Sequence, residues 1–168
     1  MRRWGGSRRR SGGEKPLGEA VLGLLDHLNL GAATRGALAI VRWLFRHAES
    51  RTVSGIRVAT AQSKTADSEA ALKKVESALA LLREYDLRAI ETLQKQTDGV
   101  FVFGTAGANA EWRRDARLVV MQPEYVANPA TSSADVAATL VHEATHVSLE
   151  RLGFHYTAQR RARIEAIC

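Results

Sequence analysis

Cysteine is nearly missing from this chain: Cys168 is the only one. A single thiol excludes an intrachain disulfide framework and a Cys-rich zinc finger. It neither requires nor forbids an oxidising compartment. There is also no uncharged apolar run of about 18 residues, so no membrane-spanning helix is expected. A secretory leader fits poorly, because Glu14, Lys15 and Glu19 interrupt the apolar stretch behind the basic residues 2–10. The pair Arg8-Arg9 lacks the apolar segment that a twin-arginine signal needs. The expected compartment is the cytoplasm, with a peripheral place at a membrane surface as the alternative. Proline is sparse: Pro16 suits a first helical turn, while Pro123 and Pro129 mark irregular chain. Acidic residues are scarce only at the start. Residues 1–51 hold ten Lys/Arg and four Asp/Glu, and residues 52–168 hold fourteen of each, so the whole net charge of +6 arises in the first third.

The 168 residues, 45% hydrophobic, suffice for one domain with a single core. Residues 1–15 are Arg, Gly and Ser with little to bury, and read as a disordered basic tail. Residues 16–51 read as N-terminal helices, the second over about 33–49. "TVSGIRVAT" (52–60) reads as one strand, since β-branched residues dominate it. The next stretch, to about residue 96, is long and helical, with Leu72, Val75, Leu79 and Leu82 at helical spacing and a bend expected at Tyr85-Asp86. Residues 99–105 and 116–122 read as strands, paired antiparallel around the loop "GANAEWRRD". Ser132 or Ser133 caps the next helix, Gly153 ends it, and a last helix covers about 157–167. The order of elements predicts an α+β fold: helix-rich, with a small, mostly antiparallel sheet.

The chemistry concentrates in "LVHEATHVSLERLGFHYTAQRRARIEAIC". His142 and His146 are four apart, so on a helix they share one face about 6 Å apart along the axis. Two imidazoles so placed converge on one cation, and Glu143 beside them reaches a water on that ion. The flanks are uncharged, unlike those of a solvated helix face carrying ordinary surface histidines. Zinc needs a third protein ligand. Glu150 continues the row one turn further and lies too far along to join; an Arg or solvent is its expected partner. A metzincin pattern fails, because Leu149 and Leu152 stand where it needs Gly and a ligand. His155 follows Gly153 too closely to fold back, whereas Glu165 follows enough returning helix to end level with the histidines.

The motif "HEATH", with Glu165 in "IEAI" nineteen residues after His146, resembles the gluzincin group of zinc metallopeptidases. Segment 99–168 also resembles a bacterial family of uncharacterised metallopeptidase-like proteins. The resemblance implies a zincin-like domain over 52–168, with Zn2+ on His142, His146 and Glu165 and with Glu143 as general base. The acidic residue that gluzincins hold four beyond this Glu would fall at 169, so the chain is read as a fragment, a product truncated at its C-terminus or a degenerate member. The implied reaction is hydrolysis of a peptide or protein substrate by zinc-activated water. Tyr156 and His155 are the candidate oxyanion stabilisers. The resemblance further implies a substrate lying along an exposed strand, for which 116–122 is the candidate, with Glu111 and Trp112 at the rim.

Two other classes of function remain in view. One is an inactive zincin-like binding or scaffold protein. The other is a module that uses the basic N-terminus on a membrane or nucleic acid. Residues 33–49, rich in Arg, Trp and Phe, suit weak contact with an anionic membrane surface, or packing with the arginines in water. No aromatic-interleaved surface accompanies the basic tail, so no specific nucleic acid is expected.

Overall fold

The computed structural model describes residues 35–61, 67–104, 107–155 and 159–167. The expected tail (1–15) and first helix lie outside the described residues. In chain order the elements are α1 (Arg35–His47), β1 (Glu49–Val53), β2 (Ile56–Thr60), α2 (Ser68–Tyr85), α3 (Leu87–Gln96), β3 (Gly99–Val102), β4 (Ala110–Arg113), β5 (Leu118–Met121), α4 (Pro123–Ala127), α5 (Ser133–Arg151) and α6 (Arg161–Glu165). A 3-10 turn, Arg114–Ala116, joins β4 to β5.

The five strands form one sheet in the order β1-β2-β3-β5-β4. The fold is α+β, and the sheet is mixed. The inner pairs β2/β3 and β3/β5 are parallel, and the outer pairs β1/β2 and β4/β5 are antiparallel. The antiparallel pairing expected between 99–105 and 116–122 does not form. Gly99 instead aligns with Leu118 and Val102 with Met121, in parallel register. Burial on both faces accounts for this. All four residues of β3 and all four of β5 are buried, and an unbroken apolar run suits the parallel centre of a sheet.

Two layers cover the sheet. On one face Val58, Val100, Val102, Val119 and Met121 meet the stripe Leu72, Val75, Leu79 and Leu82 of α2, with Leu93 of α3 and Leu140 of α5. On the other face Phe101, Phe103, Leu118 and Val120 meet Phe45 of α1. Phe45 stands edge-on to Phe101, with ring centroids 5.6 Å apart. The apolar side of α1 is thus spent on the sheet, and Arg42, Trp43, Arg46 and His47 face outward. A domain boundary at 51/52 does not hold, because it falls inside β1 and α1 shares the sheet's core. Among the described residues no helix is long and apolar enough to cross a membrane.

Two further expectations change. Residues 52–60 are not one strand but part of a hairpin. Val53 pairs with Ile56 across Ser54-Gly55, whose φ values of 50° and 73° are both positive. A two-residue turn of that hand matches the twist of the strands it joins. The stretch 107–115 is not all loop, since β4 lies within it. Ala110 and Trp112 face the helical layer, while Glu111 and Arg113 pair with each other.

The break at Asp86 is as expected, and Asp86 serves both helices. Its backbone N–H closes α2 on the carbonyl of Leu82 (2.8 Å), and its carboxylate caps α3 at the N–H of Ala89 (3.1 Å).

Gly99 opens β3 at φ 146°, and an added Cβ there would lie 2.2 Å from the Arg57 carbonyl oxygen and 2.8 Å from Phe45. Gly104, five residues on, has open space at its Cβ position. Gly99→Ala should therefore cost roughly 2–5 kcal/mol of stability. Gly104→Ala should stay within about 0.5 kcal/mol. Urea unfolding of the two variants checks the contrast, and equal midpoints would refute the packing described.

Candidate metal centre

The site is built on α5, and both ends of α5 are fixed by local chemistry. Ser132 and Asp135 form a reciprocal capping box. The Asp135 N–H donates to Ser132 Oγ (3.1 Å), and the Ser132 N–H donates to Asp135 Oδ2 (2.8 Å). At the other end Gly153, at φ 84°, closes a Schellman turn. Its N–H reaches Glu150 O, and the N–H of Phe154 reaches Leu149 O, each at 2.9 Å.

Between these caps Val136, Ala137, Leu140, Ala144 and Val147 form the buried stripe. Glu143 lies in the same stripe, only 5% exposed. The adjoining edge of the helix carries His142 and His146, with Nε2 atoms 3.0 Å apart and rings nearly perpendicular at 79°.

After Gly153 the chain returns. α6 is shorter than the helix expected over 157–167. Its Ile164 is buried, and the next residue, Glu165, faces the histidine pair. Glu165 Oε2 lies 3.3 Å from His142 Nε2 and 3.8 Å from His146 Nε2. The structure thus brings together His142, His146 and Glu165, the three expected ligands, with one donor atom each inside 4.8 Å. Four-coordinate zinc with bonds of about 2.1 Å places neighbouring donors about 3.4 Å apart. The three observed edges bracket that value, so the donor set fits the ion. His155 is exposed on the rim of the same cleft. Tyr156 lies outside the described residues.

Protonation follows from the surroundings. Burial pushes the Glu143 carboxyl up to about 7; the backbone N–H of Trp112 pulls the other way, and the charges of Glu165 and Glu111 add to the rise. Burial also lowers the pKa of His146; His142 lowers it further and Glu165 opposes. Lowering favours the neutral imidazole, the form that binds metals.

The cleft over these groups has a volume of about 640 Å³. One wall is α5 and the other is β4. The strand expected to receive an extended substrate, 116–122, is not exposed: β5 lies between β3 and β4 with both edges paired. β4 is the outer strand, and its Glu111 and Trp112 do line the cleft.

Trp112 also ties the two walls together. Its backbone N–H bonds Glu143, and its indole Nε1 donates to Glu150 Oε2 at 2.7 Å. Glu150 Oε1 pairs with Arg114 Nε, also at 2.7 Å. Glu150 thus has the arginine partner expected of it. Arg114 also lines the cleft, and nothing in "EWRRD" distinguishes it from Arg113.

No protein-family model, curated protein or solved structure matches the chain.

The raised pKa of Glu143 has a measurable cost in metal-free protein. Between pH 4.5 and about 7 the folded state keeps a proton that the unfolded state has lost, so stability falls as pH rises through that window. At about 1.4 kcal/mol per pH unit, the loss is on the order of 3 kcal/mol above pH 7. Glu143→Gln should therefore stabilise the metal-free protein at pH 8, with the gain shrinking toward pH 5. Thermal melts in a chelator at both pH values check this; a gain independent of pH would refute it.

Proposed function

We propose that this protein is a zinc-dependent peptidase. The observation that carries the reading is the triangle formed by His142 Nε2, His146 Nε2 and Glu165 Oε2, with edges of 3.0, 3.3 and 3.8 Å, set beside a buried carboxylate. When bound by these three residues, zinc supplies Lewis acidity, which polarises a carbonyl and brings the pKa of a water toward neutrality.

The chain's own groups do the rest. Glu143 takes the proton from the attacking water on a carboxylate oxygen, and the same oxygen returns it to the leaving amine nitrogen. A carboxyl with a pKa near 7 suits both transfers. The Trp112 N–H aims that carboxylate. The outer edge of β4 offers main-chain groups to an extended peptide, which would add to the sheet beside α5. His155, on the cleft rim, is the described candidate for donating a hydrogen bond to the developing oxyanion.

Metal analysis and peptide digestion test the reading together. One zinc per chain is expected, lost in a His142→Ala, His146→Ala double variant. Glu165→Ala should weaken zinc by more than the roughly 10–100-fold that loss of an outer hydrogen-bond partner costs, while His155→Ala should spare the metal. Glu143→Gln should keep zinc and lower peptide hydrolysis by about 10²–10⁴-fold. Zinc retained by the double variant would sink the proposal. Zinc bound without hydrolysis of any unfolded protein would instead favour the reading as an inactive binding or scaffold protein.

A further inference from the structure

The wall of the cleft formed by β4 ends in a cation that the hydrolytic chemistry above does not use. Arg114 lines the cleft with the histidine pair, and its side chain is 64% exposed. Its guanidinium is nevertheless oriented. Nε sits 2.7 Å from Glu150 Oε1, and Glu150 Oε2 is already held by the Trp112 indole. Glu150 itself is only 20% exposed at its side chain, so the anchor lies within the wall. A guanidinium has five N–H donors in a planar fork. A single carboxylate with one oxygen engaged elsewhere leaves at least three of them to water or a ligand. Along α5, Glu150 lies one turn beyond His146, about 6 Å along the axis. Extended peptide advances about 3.3 Å per residue, so an offset of that size would correspond to roughly two residues of a chain bound along the helix.

From this we infer that Arg114 is a substrate anchor, and that the cleft selects peptides carrying a carboxylate one or two residues from the scissile bond. A planar fork matches a carboxylate through two parallel hydrogen bonds, which a lysine in the same place would not reproduce. A free C-terminus and an acidic side chain supply the same chemistry. The inference rests on the peptidase reading for the role of the bound peptide, but the anchoring is measured by binding alone.

The test uses the full chain carrying Glu143→Gln, to prevent turnover, with calorimetric titration in zinc and separately in a chelator. The probes are N-acetyl-Ala-Ala-Phe as the free acid, the same peptide as its amide, and N-acetyl-Ala-Ala-Glu amide. The free acid, the acidic amide or both should bind about ten- to a hundredfold more tightly than the neutral amide. Whichever binds tightly identifies the source of the carboxylate. Adding Arg114→Ala should abolish the preference. Arg114→Lys, which keeps a cation near Glu150 without the fork, should fall between.

Equal binding of all three probes would overturn the inference. So would a preference that survives Arg114→Ala, because the metal and not the guanidinium would then be taking the carboxylate. A preference that depends on Arg114 in both zinc and chelator, in a protein that hydrolyses nothing, would uphold the anchor and reject the peptidase reading. Hydrolysis by the parent chain, with cleavage sites indifferent to nearby carboxylates and to Arg114→Ala, would do the reverse.

Discussion

A carboxylate buried in an apolar stripe is the constraint around which the site is arranged. Glu143 occupies a position on α5 that packing alone would give to a residue like Leu140 or Val147. Desolvating a charge there is costly, and among the described residues the backbone N–H of Trp112 offsets part of that cost. That N–H is available because β4 runs beside α5, and β4 runs there because it pairs with β5 at the edge of the sheet. Sheet order, strand direction and the register of Trp112 are thereby all linked to one side chain. A residue chosen for packing alone would be apolar, so Glu143 gives up stability at that position.

The rest of the fold makes that arrangement rigid. The two buried strands β3 and β5 are clamped between α1 on one face and the larger helical layer on the other. α5 is capped at both ends, by Ser132 with Asp135 and by Gly153. Trp112 and Glu150 then fix the outer strand to the helix at a second point, seven residues along from Glu143. Trp112 thus meets α5 at two places, Glu143 through its backbone and Glu150 through its indole.

Much of this was legible in the residues. The spacing of His142, Glu143 and His146 gave the helix face, Ser132 and Gly153 gave its limits, and the return distance singled out Glu165 over His155. These are local signals, and α5 is long enough for local signals to decide. The sheet is less legible. Ser54-Gly55 sits between β-branched residues that look continuous, and the turn is visible only if positive φ at both positions is considered. The period-two alternation of Ala110, Glu111, Trp112 and Arg113 marks a strand, but four residues among Gly, Asn and Arg resemble a loop. The parallel pairing of β3 with β5 is set by burial on both faces, which depends on where distant helices pack. Arg114 is invisible for a related reason: only the fold decides which of two adjacent arginines meets Glu150.

The third donor is attached differently from the other two. Both histidines belong to a nineteen-residue helix, while Glu165 ends a helix of five. Among the described residues of 159–167, Ile164 is the one buried side chain, 4% exposed. Burial of one such side chain is worth about 1.5–3 kcal/mol. Glu165 adds its own contacts with His142 and His146, so the segment is held by Ile164 and by the site itself. A ligand held by the triangle would therefore also pin this short segment down, and anything that rests on the segment from outside would steady the triangle.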